Sequence, residues 1–165
     1  MCTNSAINVQ NSAWVFDGVL ESSADLFPLY VQEKLCNIPV ALNPRGSREY
    51  RDEWMHKYNF KHPDFALWKR YSEYSQTFYV QLQQAFGWGA FQAVFAQYGK
   101  LARDQQPRTD EDKRDEWMVR FSRQVGRNLG PFFAAWGVPT SERAQSSIAD
   151  LPTWMPEELQ AFLNR

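Results

Sequence analysis

Two carboxylates four residues apart, Glu21 and Asp25, are the side chains of this 165-residue chain whose spacing most suggests chemistry. On a helix that spacing stacks them on one face as like charges, a cost of a few tenths of a kcal/mol unless a cation compensates. The plainer reading puts both in a first helical turn, where the macrodipole favours acids. The residue types alone leave both readings open.

The other reactive side chains do not assemble by spacing. His56 and His62 flank a break, with no acid at a fixed helical offset, and read as loop or surface histidines rather than a metal pair. Cys2 and Cys36 are the only cysteines, which is neither a disulfide framework nor a zinc-ribbon spacing. Cys36, at the end of an apolar helical segment, reads as a small buried residue rather than a nucleophile. There is no glycine-rich dinucleotide loop, no phosphate loop, no H-E-x-x-H and no C-x-x-C.

The elements that must carry these residues are helices. Residues 1–18 have no clear period and read as an irregular lead-in; residues 19–165 read as helical. Leu20, Ala24, Phe27, Val31 and Leu35 follow helical spacing, with Pro28 bending the segment. Pro39, Pro44 and Gly46 mark a loop over 37–47, and Ser47 is an N-cap for a short helix to about Tyr58. From Asp64 a single long helix is expected, with Trp68, Tyr71, Ser75, Phe78, Leu82 and Phe86 as its stripe and Gly87 as its end. Trp88, Phe91, Phe95 and Tyr98 form the next stripe. So short a connection predicts antiparallel neighbours.

Thr109 followed by Asp110, Glu111 and Asp112 starts another helix, with Trp117, Phe121, Val125 and Leu129 on its apolar face. Gly130-Pro131 stops it and opens a short one that ends at Gly137. Two further helices are expected near 141–150 and 156–163. No segment alternates like a strand. The expected fold is all-α, an irregular bundle of about 6–8 helices. Trp68, Phe78, Leu82, Phe91, Phe95, Trp117, Phe121 and Phe133 are the expected core, with the Tyr71 ring beside them. At steps of three and four, aromatics read as core rather than as a sugar-stacking surface.

Composition supports a packed domain. Aromatics make up 16% of the residues, and each buried large apolar side chain contributes roughly 1.5–3 kcal/mol. A net charge of −1 argues against a nucleic-acid surface built on bulk charge. No targeting segment is visible, and no apolar run approaches the roughly 18 residues of a membrane span.

Two longer patterns carry a resemblance. YVQLQQAFGWGAFQAVFAQYGKL (79–101) and DEWMVRFSRQVGRNLGPFFAAWGVP (115–139), closed by Leu151-Pro152 and Trp154, resemble the C-terminal helical part of the enhancin-like metallopeptidases, peptidase family sixty, of the gluzincin type. The vertebrate TRP-channel-associated factors are similar over the same region. The resemblance runs from about Asn8 to Trp154. It implies a zinc site of H-E-x-x-H followed downstream by a Glu, and glycoprotein substrates of the mucin type.

In that register Glu21, within FDGVLESSAD, is the candidate third zinc ligand, with Asp25 as a possible accessory. The motif positions fall on Thr3 and Ile7 for the two His and on Asn4 for the general base. Thr and Asn are poor zinc ligands and Ile is none. The resemblance therefore implies a helical subdomain that is inactive alone and holds no zinc tightly. Its partner would be an N-terminal catalytic portion or another protein. The alternative expectation is a non-catalytic interaction module like the channel-associated factors.

Overall fold

A computed structural model describes residues 12–164, and among these every regular element is a helix. In order they are α1 (Leu20–Cys36), a 3-10 turn (Val40–Leu42), α2 (Arg48–Lys57), α3 (Phe65–Arg70), α4 (Ser72–Gly99), α5 (Asp110–Val125), α6 (Gly130–Ala135), α7 (Glu142–Ser147) and α8 (Glu157–Leu163). The all-α expectation holds.

Local chemistry sets the boundaries. The Ser47 hydroxyl accepts from the Tyr50 N–H at the start of α2, and Asp64 accepts from Ala66 and Leu67 at the start of α3. Thr109 and Asp112 close a reciprocal capping box on α5. One β-type contact, a bridge between Asn128 and Thr153, fastens the late Leu151–Trp154 segment beside α6. It lets Trp154 reach the rings of Phe86 and Phe132, at 4.9 and 5.1 Å.

The core is organised around α4. Every residue from Tyr74 to Gln83 is buried, polar ones included. Phe78 stacks on Phe132 at 4.6 Å and meets Phe133 edge-on at 5.0 Å. Gly87 interrupts the helix with φ 70° and ψ 174°, a conformation open to glycine. The interruption bends α4 sharply. The rings of Tyr79 and Phe91 lie 6.3 Å apart, whereas twelve residues of straight helix span about 18 Å. Both rings thereby reach Trp117 of α5, at 5.9 and 6.1 Å.

One polar network crosses this core. Arg51 of α2 donates from Nε and Nη2 to the two oxygens of Glu158 on α8, each at 2.9 Å. Gln81 of α4 donates to the same carboxylate at 2.9 Å and accepts from the Trp136 indole at 3.0 Å. Burial pushes the Glu158 carboxyl up, but hydrogen bonds and charge from Arg51, with Gln81 and Arg48, outweigh it and hold it below the ordinary range.

Several expectations are corrected. The single helix from Asp64 to Phe86 is two, because Tyr71 is extended at φ −116° and ψ 107°. The break frees Trp68 to stack on Phe16 and meet Phe78, while Tyr71 turns toward Trp54 and stays 41% exposed. Phe95 is only half-buried, a rim residue covered by Trp14 at 4.8 Å. Cys36 is exposed, because the last turn of α1 projects from the bundle.

Candidate functional site

The site is built at the start of α1. Gly18, at φ +87°, turns the chain there; a Cβ would lie 2.9 Å from the Cα of Lys69. Phe16 and Val19 are buried beside it and anchor the turn. Glu21 then falls in the first helical turn, exposed to solvent. Asp25 follows one turn later, partly buried, and Arg45 donates to it at 2.7 Å. This is the compensating cation that a like-charge pair requires. Burial pushes the Asp25 carboxyl up; Arg45 opposes the shift and Glu21 adds to it.

Arg45 is placed by its loop. Its N–H donates to the Asn43 side chain at 2.9 Å, and Asn43 donates in turn to Gln32 of α1. Gly46 packs so closely on Val40 that a Cβ would sit 2.3 Å from the Val40 carbonyl oxygen. Beyond Arg45 stands Tyr50 of α2, half-buried. Its hydroxyl is pushed up to about 12 by burial and by the charges of Glu73, Asp25 and Glu53, against the pull of Arg45. At neutral pH it is a protonated donor. Glu21, Asp25, Arg45, Tyr50 and Glu73 thus form a string of polar groups drawn from α1, the following loop, α2 and the first turn of α4.

Arg45, Tyr50 and Glu73 could not be found from spacing, because each comes from a different element. The only hint was the uncompensated pair at 21 and 25. The two histidines do not join the string. His56 is exposed and places its Nδ1 2.7 Å from the Asp52 carbonyl, with its ring edge-on to Phe162; His62 lies in the exposed loop before α3. Among the described residues no group of three or more His, Cys, Asp or Glu stands close enough to hold a metal ion. Glu21 contributes one carboxylate and Asp25 is already engaged, so these residues do not fit a zinc site by themselves. Thr3, Asn4 and Ile7 lie outside the described residues.

The second feature of α1 is its outward face. Its buried side consists of Ser22, Leu26 and Leu29. The periodic stripe that marks the helix in the sequence points the other way: Leu20 is 45%, Phe27 50% and Leu35 77% exposed. Ile38 and Leu42, just past the helix, are exposed as well. No helix of the described residues is long and apolar enough to cross a membrane.

Comparison with known proteins bears on this arrangement. The family described as peptidase M60, enhancin and enhancin-like, matches residues 6–137. TRPM8 channel-associated factor 3 of Mus musculus is 34% identical over 157 residues, and TRPM8 channel-associated factor 2 of Homo sapiens 32% identical over 158. Each alignment covers 94% of this chain but 17% of the relative, so the chain spans about a sixth of those proteins. A functionally unknown conserved protein from Bacillus anthracis str. Ames has the same fold over 96% of this chain and 32% of its own, with a TM-score of 0.77 at 24% identity.

Proposed function

The chain belongs to the M60 family of enhancin and enhancin-like peptidases, and from that premise we propose that it is the helical portion of such a domain, without peptidase activity of its own. The observation that carries this reading is the state of α1: a lone exposed carboxylate at Glu21, beside an Asp25 already held by Arg45. In a complete domain of this type Glu21 would be the third zinc ligand, with the two imidazoles and the general base supplied by the segment that precedes it. In this chain the corresponding positions are Thr3, Ile7 and Asn4, which supply neither ligand nor base. Mucin-type glycoproteins would be the substrates of the complete domain, and this chain would not cleave them.

The test is direct. The purified chain is incubated with a mucin glycoprotein and zinc, beside a Glu21→Ala control. No chelator-sensitive cleavage is expected, and cleavage above the control would overturn the reading. A calorimetric titration should likewise find no zinc site tighter than roughly micromolar, far weaker than a complete structural site.

A second reading is favoured by a separate observation. Leu20, Phe27 and Leu35 put apolar area in solvent along one side of α1, and exposed apolar patches mark contact sites. The relatives are named as channel-associated factors. On this reading the chain acts by contact, with α1 as its contact surface.

A further inference from the structure

We propose that two copies of this chain pair through the outward faces of α1, antiparallel, about a two-fold axis beside Phe27. The inference rests on the reading that α1 acts by contact, and it names the occupant of that surface.

The stripe is close to symmetric along the helix. Leu20 lies seven residues before Phe27 and Leu35 eight after it, so the two stand about 10 and 12 Å to either side along the axis. Reversing the helix end for end therefore lays Leu20 over the partner's Leu35 and Phe27 beside its own copy. That self-matching pattern is what a two-fold interface requires.

The charges agree with the same direction. Glu21 occupies the N-terminal end, exposed, while the ion pairs of α1 among the described residues fall on Asp25, Glu33 and Lys34. Lys34 occupies the C-terminal end with its side chain 51% exposed, and its one ion contact among the described residues is a 3.7 Å approach to the neighbouring Glu33. Antiparallel pairing sets the acidic end of each helix near the basic end of the other and opposes the two macrodipoles. Parallel pairing would set acid by acid. Asp25 already holds Arg45, so no lone carboxylate is stranded there. Three large side chains per copy make a small apolar patch, the scale of a weak interface.

Sedimentation of the 165-residue chain over a concentration series tests the pairing. The wild type should pass from one chain to two in the micromolar range, and Phe27→Glu should weaken association at least tenfold while leaving the melting curve in place. Direction is read by oxidation in a Cys2→Ser, Cys36→Ser background. Leu20→Cys with Leu35→Cys should give a covalent dimer, whereas Leu35→Cys alone should not, its two copies being about 24 Å apart. A single-chain mass up to about 0.5 mM, well above the range of a weak specific interface, would overturn the proposal. So would association indifferent to Phe27→Glu, or cross-linking by Leu35→Cys alone. The mucin and zinc assays test the underlying reading independently.

Discussion

The middle of α4 and the whole of α1 are helices of similar apolar content, and they are used in opposite ways. From Tyr74 to Gln83, α4 is buried on all sides, and its polar residues Ser75, Gln76, Thr77, Gln81 and Gln83 go under with the rest. α1 is covered on one side only, and the covered side is Ser22, Leu26 and Leu29 rather than its most regular apolar stripe. Period therefore identifies a helix more securely than it identifies the face that packs. Which stripe becomes core depends on what neighbours bring to it. α4 receives aromatic rings from α3, α5 and α6, whereas the outer stripe of α1 keeps large exposed side chains.

Substitutions can break or sharpen this contrast. The largest effect is expected where α4 meets α5. Phe121 is fully buried between Phe91 and Trp117, and Phe121→Ala should lower stability by about 3–5 kcal/mol in a urea melt. A loss under about 1 kcal/mol would mean that the core is not where the rings place it.

Next comes the buried network. Glu158→Ala leaves the Arg51 guanidinium, whose side chain is only 7% exposed, without its carboxylate, and should cost about 3 kcal/mol. The sign of the pH dependence follows from the depressed folded-state pKa. The contribution of Glu158 is present above the ordinary Glu value of about 4.3 and is lost as pH falls through the lower folded value. Acid melts should therefore show the wild type converging toward Glu158→Ala; a constant gap down to low pH would refute the assignment.

The bend in α4 should be worth less. Gly87→Ala forces a side-chain-bearing residue into a conformation reserved for glycine, although no atom lies within 4 Å of the added Cβ. The expected cost is about 1–3 kcal/mol, measured as a lower urea midpoint with an unchanged slope. The smallest effects belong to the outer side of α1. Phe27→Ala and Glu21→Gln should each change monomer stability by no more than about 0.5 kcal/mol, read at dilution. A large loss for Phe27→Ala would mean that this ring is core and that the two helices are alike after all.

Much of the architecture was legible because helix ends carry local chemistry. Ser47, Asp64, Thr109 with Asp112, Pro131 and Gly137 announce their boundaries within a few residues. The end of α5 falls earlier than its stripe implies: the helix expected to carry Leu129 on its face and to stop at Gly130 closes at Val125, where Gly126 takes the left-handed conformation. The break at Tyr71 has no such marker. An apolar stripe continues across it in sequence, and only the demand of Trp68 for Phe16 and Phe78 separates the two pieces. Of the candidate site, Glu21 and Asp25 could be singled out by spacing. Arg45, Tyr50 and Glu73 could not, because their proximity is a product of the fold.

The Arg51–Glu158 contact also sets an order on assembly. Its two ends are separated by 107 residues. A ribosome adding roughly 5–20 residues per second takes about 5–20 s between them. Through that interval Arg51, joined by Gln81 for its last 77 residues, is without their common acceptor, and closing α2 onto α4 would leave the guanidinium without its carboxylate. The joint between α2 and α4 is therefore completed only by α8, a helix made later than either of them.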